Sequence, residues 1–179
     1  MTDIVRRAAA YAETKHAGQA RKDRARSPYI GHPAEVAGLV AGFGGTPAAI
    51  AAAWLHDTVE DCPPTTLADI EAAFGAHVAT LVGELTDDKS LAKAERKRLQ
   101  VERAPLKSAE AALVKVCDKI SNVRSLAERP PVGWSLARRL TYVSWAEEVV
   151  AHLPALPEAA RTAFRVTAEG ARASIAADG

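Results

Sequence analysis

The sequence predicts an all-α protein, built as a single helical bundle of about eight to ten helices without a sheet. Three observations lead to this prediction. Apolar residues recur with helical spacing along nearly the whole chain, and no segment alternates convincingly in the manner of a strand. Aromatic residues make up 5% of the chain while alanine is plentiful, which favours closely packed helices over a β-sandwich. The length of 179 residues suits one domain with a sizeable core.

The first two helices are predicted from breakers and from favoured starting residues. One helix covers residues 3–17 and stops at Gly18, and the basic stretch that follows, residues 19–31, is predicted to be a structured loop. The next helix opens at Pro33, because proline is favoured at a first helical position, and it leaves His32 just outside.

A third helix is predicted to start at Thr46 and to carry His56 and Asp57 before two prolines block it. Thr66 and Asp69 form a capping-box pattern for the helix that follows. The remaining helices are predicted at residues 66–74, 76–84, 91–103, 109–127, 134–152 and 157–176. No repeat or linker divides the chain, so residues 1–179 are predicted to form one domain. Its last stretch, residues 154–179, contains a helix of uncertain role that packs on the core or mediates self-association.

Composition excludes several classes of function. A formal net charge of +1 gives no global reason to expect a nucleic acid or a membrane as partner. Two cysteines cannot build a disulfide framework, which favours a reducing compartment. The chain shows neither a signal-peptide pattern nor an apolar run of about 18 residues, so we expect a cytoplasmic protein. The pattern leaves open whether it is a monomer or a homodimer.

Two acidic pairs stand four residues apart, His56-Asp57 and Glu60-Asp61. On one α-helix, residues four apart lie on the same face, so the second pair would stack over the first. Burying carboxylates and an imidazole at the end of an apolar helix is unfavourable unless a partner compensates them, and a divalent metal would do so. The alternative is an ordinary surface charge cluster that closes a helix.

Candidate metal ligands are His32, His56, Asp57 and Asp118. Asp118 interrupts an apolar helix face, and Asn122 follows on the same side, so this polar pair needs a partner. The alternatives are a helix-capping role for His32 and a pairing of Asp118 with a neighbouring lysine. Two imidazoles with two carboxylates suit Mn²⁺ completed by water, or Fe²⁺, and Zn²⁺ less exclusively.

These ligands resemble the signature of the HD-domain metal phosphohydrolases. Four segments are similar, more specifically, to the hydrolase domain of the RelA/SpoT proteins: residues 16–22, 28–33, 56–61 and 118–122. Residues 86–91 and 95–102, together with Gly133, Trp134, Ser135 and Tyr142, resemble the stand-alone members of that family, the small alarmone hydrolases.

The resemblance implies an HD-type fold and Mn²⁺-dependent hydrolysis of the 3′-pyrophosphate of guanosine tetra- and pentaphosphate alarmones. It implies metal binding by His32, His56, Asp57 and Asp118, and water activation by Glu60 and Asp61. A polyphosphorylated nucleotide also needs cations, which the basic loop supplies through Arg21 and Lys22. The expected substrate-binding residues are Arg21, Lys22, Lys93, Lys97, Asn122, Arg138 and Tyr142.

Several residues have more ordinary interpretations. Arg96 and Arg98 are expected on a solvated helix face, paired with Glu95 and Glu102. Surface or packing roles are expected for His16, His77 and His152, and Trp134 is compatible with a plain core position.

Two alternative enzyme activities stay open, namely hydrolysis of adenosine alarmones and removal of the 2′-phosphate of NADPH. From another class, a non-catalytic nucleotide sensor stays open too, although it would not need the pair Glu60-Asp61.

Overall fold

The structure is a computed structural model and describes residues 2–178. Over this range the chain forms ten α-helices and one 3₁₀ turn, Ala104–Leu106. The helices are α1 (Asp3–Lys15), α2 (Gly31–Gly42), α3 (Pro47–Leu55), α4 (Thr58–Asp61), α5 (Leu67–Phe74), α6 (Ala76–Leu85), α7 (Lys93–Glu102), α8 (Ala109–Glu128), α9 (Leu136–Ala151) and α10 (Glu158–Ala177). The predicted all-α bundle is confirmed, since the β-type pairing in residues 2–178 is a single bridge between Ala20 and Pro28. No helix of the described chain is both long enough and apolar enough to span a membrane.

The long helix α8 lies at the centre of the bundle, and most of its residues are buried. Helices α2, α3 and α6 pack against it, and α9 and α10 also contact it. The C-terminal helix α10 packs most extensively on α8 and buries Phe164, Ala168 and Ile175. The core therefore surrounds the helix that carries Asp118.

Helix α3 is almost entirely apolar and leads from the surface into this core. The Thr46 hydroxyl caps its first turn by accepting a hydrogen bond from Ala49 N at 3.1 Å. Four alanines of the helix are fully buried, Ala49, Ala51, Ala52 and Ala53. Small side chains let neighbouring helices approach closely, and α1, α2 and α6 all pack on α3. The helix thus brings His56, at its end, to the middle of the protein.

The prediction of one continuous helix through Asp61 is wrong, because α3 ends at Leu55 and α4 begins at Thr58. Side chains at the junction satisfy carbonyl groups near the end of α3. The Thr58 hydroxyl donates to Leu55 O at 2.7 Å, and His56 Nδ1 lies 2.7 Å from Ala53 O. His56 and Asp57 therefore lie in a helix break, and simple stacking on one helical face does not describe them.

The prediction that His32 lies just outside its helix is also wrong. Helix α2 begins at Gly31, so His32 belongs to its first turn. The turn at residues 28–30 extends the helix backwards, since His32 N donates to Tyr29 O and Ala34 N donates to Ile30 O. The other predicted helix boundaries lie within two residues of the observed ones.

Candidate metal-dependent active site

His32, His56 and Asp118 meet where α2, the α3–α4 junction and α8 come together. Their ligand atoms all lie within 4.8 Å of one another, and all three residues are buried. Asp118 Oδ1 is 3.3 Å from His32 Nε2 and 3.9 Å from His56 Nε2. Three segments that are far apart in the sequence thus converge on one buried polar cluster.

His56 turns its Nε2 atom toward this cluster. Its Nδ1 lies against Ala53 O, and a carbonyl oxygen only accepts hydrogen bonds, so Nδ1 carries the proton. Nε2 is buried without a hydrogen bond of acceptable geometry, although Asp57 Oδ2 is 3.1 Å away. A buried ring nitrogen without a hydrogen-bond partner is unfavourable, and a metal cation that takes the place of the Nε2 proton would satisfy it.

A chain of hydrogen bonds fixes His32 in the same tautomer. The Ser121 hydroxyl donates to Glu35 Oε2 at 2.7 Å, so its oxygen accepts from His32 Nδ1 at 2.9 Å. Arg124 donates to the other Glu35 oxygen at 2.7 Å and anchors the chain. The Nε2 lone pair of His32 therefore also faces the cluster. Such outer partners orient metal-binding imidazoles and raise their basicity.

Asp57 lies beside both imidazoles. Its Oδ2 is 3.1 Å from His56 Nε2 and 3.7 Å from His32 Nε2, and it accepts a hydrogen bond from the Tyr29 hydroxyl at 2.5 Å. Burial opposes a charge on the His56 ring, but the carboxylate of Asp57 outweighs it and raises the pKa of His56 to about 9. Asp57 is thus placed to complete a ligand set of two nitrogens and two carboxylates.

The carboxylate of Asp118 stays charged although it is buried. Burial alone would raise its pKa, but the positive charges of Lys119 and Lys115 outweigh it and lower that pKa well below its usual value. Lys119 Nζ lies 3.2 Å from Oδ2, and Asn122 Nδ2 donates to Oδ1 at 2.6 Å. The predicted pairing of Asp118 with Asn122 along the helix is therefore present, and Asn122 also lines the neighbouring cleft.

Glu60 and Asp61 occupy α4 next to this cluster. Burial, helped by the charges of Asp87 and Asp57, raises the pKa of Glu60. Arg96 Nη1 lies 3.6 Å from Glu60 Oε1, so the expectation that Arg96 is part of a solvated face is wrong. The expectation for Arg98 agrees with the structure, because it pairs with Glu95 and Glu102. Helix α7 directs the Arg96 side chain toward Glu60 on α4, so Arg96 lies at the edge of the site.

An open cleft of about 620 Å³ leads to the cluster. Six of the residues predicted from the sequence line it: Arg21, Lys22, His32, Asp61, Asn122 and Tyr142. Tyr29, Lys89 and Trp134, to which the sequence analysis gave no role in the site, also line it. Arg21 is held by a hydrogen bond to Ser125 Oγ at 3.0 Å, and Lys22 O accepts a hydrogen bond from Val132 N at 2.8 Å.

The other predicted cations lie behind the aromatic residues of one cleft wall. Arg138 stacks over Trp134 at 4.1 Å, and Lys93 lies 5.7 Å from the same ring. Lys97 lies 5.2 Å from the ring of Tyr142. Burial and the positive charges of Arg138, Lys22 and Arg96 lower the pKa of Lys93. Such crowding of like charges favours binding of a polyanion.

The remaining histidines have structural roles, as expected. His16 is buried, with Nδ1 2.8 Å from Gln19 Oε1. His77 is exposed beside Glu110, and His152 Nδ1 lies 2.8 Å from Glu148 O. Trp134 is not plain core, because it lines the cleft.

The residues of the cluster fit a divalent cation. Two buried imidazoles turn their Nε2 atoms inward, and two buried or half-buried carboxylates face them. A mixed set of nitrogen and oxygen donors is the kind that first-row divalent metals accept. Fold and site together define a helical domain with a candidate site for a divalent metal.

The comparisons with known proteins identify the family. The HD domain family matches residues 8–149, and the chain belongs to this family. Guanosine-3′,5′-bis(diphosphate) 3′-pyrophosphohydrolase MESH1 of Homo sapiens is 50% identical over 145 residues, which cover 80% of each chain. The protein of the same name from Xenopus tropicalis is 49% identical over 149 residues, covering 82% of this chain and 83% of that one.

Solved structures give the same result. One, described as a metazoan ortholog of SpoT that hydrolyzes ppGpp, has a TM-score of 0.90 and 37% sequence identity. The match covers 95% of this chain and 96% of that one. A structure from Listeria monocytogenes has a TM-score of 0.66 and 27% identity, covering 79% of this chain and 98% of that one. The resemblance to the RelA/SpoT-type hydrolases is thereby confirmed, as is the HD-type fold.

Proposed function

We propose that the protein is a metal-dependent 3′-pyrophosphohydrolase of guanosine tetra- and pentaphosphate. The observation that carries the proposal is the buried His32–His56–Asp118 cluster beneath a cleft rich in cations. Relatives that match most of the chain carry the name of this activity. The reaction adds water across the bond between the 3′ oxygen and the pyrophosphate, so it yields pyrophosphate and a nucleotide with a free 3′ hydroxyl.

In this proposal His32, His56, Asp57 and Asp118 hold Mn²⁺, because each directs or can direct a donor atom to the cluster. The bound cation would make a coordinated water more acidic and withdraw charge from phosphoryl oxygens. Glu60 and Asp61 are the residues that would orient the attacking water and accept its proton. The burial that raises the pKa of Glu60 makes this carboxylate a better proton acceptor than an exposed one.

The predicted cations, of which Arg21 and Lys22 line the cleft while Lys93, Lys97 and Arg138 lie against its aromatic residues, bind the phosphates of the nucleotide. Within residues 2–178, no carboxylate lies within 4 Å of the charged groups of Arg21, Lys22, Lys93, Lys97 or Arg138. Cations that lack acidic partners are free to bind an anionic ligand. Tyr142 and Trp134 supply aromatic surface beside them, and Asn122 supplies an amide at the floor of the cleft.

A substrate panel tests the proposal. The protein is freed of metal, reloaded with Mn²⁺, Mg²⁺ or Zn²⁺, and given guanosine tetraphosphate, its adenosine counterpart and NADPH while pyrophosphate and phosphate are measured. We expect release of pyrophosphate from the guanosine nucleotide, fastest with Mn²⁺, and none after chelation. Preference for the adenosine nucleotide or NADPH would overturn the substrate assignment. Binding without any release would favour a nucleotide sensor.

A further inference from the structure

Lys89 lies between the two carboxylates that are proposed to activate water. Its Nζ is 2.5 Å from Asp61 Oδ1 and 3.4 Å from Glu60 Oε1. The Lys89 side chain is 49% exposed, and it lines the same cleft as Arg21 and Lys22. One ammonium group therefore faces both the acidic pair and the space where a nucleotide would bind.

The backbone around Lys89 is held by hydrogen bonds, whereas its long side chain is half exposed and is held only at its ammonium group. Asp87 N donates to Glu60 Oε2 at 3.3 Å, and Gln100 holds the Asp87 carboxylate at 2.5 Å. On the other side, the Asp88 carboxylate accepts hydrogen bonds from the backbone and the hydroxyl of Ser90. Hydrogen bonds thus hold the backbone next to Lys89, and the ammonium group of its long side chain lies at the edge of the cleft.

The observed position of Lys89 opposes the proposed chemistry. A cation beside a carboxylate stabilises the charged form and weakens it as a proton acceptor. The carboxylates in turn stabilise the charged form of Lys89. Burial disfavours the ammonium, but the hydrogen bond to Asp61 and the charges of Asp61 and Glu60 outweigh it and raise the pKa of Lys89. Glu60 would accept a proton more readily if this ammonium moved away, because the charge of Lys89 lowers the pKa of that carboxyl group.

We propose that Lys89 exchanges partners when the nucleotide binds, leaving Asp61 and Glu60 for the 3′-pyrophosphate group. This inference rests on the proposed function. A pyrophosphate group carries more negative charge than a carboxylate and offers several acceptor oxygens, so it competes for the ammonium. The exchange couples nucleotide binding to water activation, because Lys89 leaves the two carboxylates when the phosphates are in place and Glu60 regains its proton affinity. Lys89 then contacts the leaving pyrophosphate.

The test compares Lys89→Gln, Lys89→Arg and the control Arg98→Gln in the Mn²⁺-loaded protein. Arg98 pairs with Glu95 and Glu102 on the outer face of the neighbouring helix, so its loss removes one cation without touching the cleft. Loss of a charge-assisted hydrogen bond is expected to raise KM of Lys89→Gln for guanosine tetraphosphate about 10-fold. Lys89→Arg, which keeps the charge, should restore KM to within about 3-fold, and Arg98→Gln should leave it unchanged.

Inhibition by guanosine 5′-diphosphate separates the 3′ group from the rest of the nucleotide. This product lacks the 3′-pyrophosphate, so its inhibition constant should be the same in Lys89→Gln and the unmodified protein. Equal weakening of both ligands would place Lys89 elsewhere on the nucleotide and overturn the proposal. A lower kcat with unchanged KM would also overturn it, because Lys89 would then stay on the carboxylates.

The failure of this inference is distinguishable from failure of the proposed function. If the unmodified protein releases no pyrophosphate, the proposed function is wrong. If it does, and Lys89→Gln matches it in KM and kcat, only the exchange of partners is wrong. Metal content and the thermal unfolding midpoint are measured for each variant, and Lys89 is exposed enough for its replacement to leave the fold intact.

Discussion

The four carboxylates of the site form two pairs in different surroundings. Asp57 and Asp118 lie against two imidazoles, and although burial favours their neutral forms, His56 lowers the pKa of Asp57 and Lys119 lowers that of Asp118. Glu60 lies one turn further along, and burial raises its pKa. The same chemical group is thus suited to metal binding in one place and to proton transfer in the other. The surroundings decide which role each carboxylate takes.

The largest effect is expected from the ligand pair. Asp118→Ala and Asp57→Ala each remove a negative donor from the cluster, so both variants should lose bound metal. Activity should fall by about 10³-fold or more, because the cation supplies several kcal/mol of stabilisation to the transition state. Metal content by elemental analysis and pyrophosphate release check this, with the exposed Asp3→Ala as control. Full metal content in both variants would contradict the ligand assignment.

Replacement of Glu60 or Asp61 should lower turnover without loss of metal. Glu60→Gln is nearly isosteric and removes only the basic oxygen, so metal content should stay normal while turnover falls on the order of 10²- to 10⁴-fold. The measurement is kcat in protein of verified metal content. Normal turnover in Glu60→Gln and in Asp61→Asn alike would show that neither carboxylate accepts the proton of the water.

A smaller effect is expected from the hydrogen-bond chain behind His32. Ser121→Ala breaks the link between His32 Nδ1 and Glu35, so the imidazole loses its orienting partner. We expect metal affinity to fall about 10- to 100-fold, measured by competition with a chelator, while the fold remains. Ser144→Ala, on the exposed face of α9, is the matched control. Equal affinity in both variants would show that packing alone orients His32.

The smallest effect concerns the basic loop. Lys22→Ala should raise KM for the nucleotide about 10-fold through loss of one charge-assisted contact, with metal content unchanged. Arg21→Ala should do the same and also loosen discrimination among bases, provided that the guanidinium plane stacks on the ring. Unchanged kinetics in both variants would show that these side chains point into solvent and do not contact the nucleotide.

Local sequence patterns predicted most of the fold and much of the site. The capping box of Thr66 and Asp69 is present, and Asn122 bonds Asp118 as their spacing predicted. These features depend on residues within one helical turn. The position of α10 was left open, because its apolar face alone does not say which helix it covers.

Features that depend on distant partners were missed. The break after Leu55 requires His56 and Thr58 to satisfy backbone carbonyls, which helical spacing does not reveal. Arg96 was assigned to solvent because its near neighbours are acidic, whereas its partner Glu60 comes from another helix. Lys89 lay in a polar connection whose path across the cleft only the tertiary structure defines.

The burial of most of α8 determines which surfaces this enzyme needs around that helix. A helix with apolar residues around most of its circumference has to be covered by neighbours on those faces, and α10 covers one of them. Helix α10 is therefore part of the hydrophobic core around α8, the helix that carries Asp118. Any chain that keeps this catalytic helix without α10 has to bring another apolar surface to the same place, either from a further domain or from a second copy of itself.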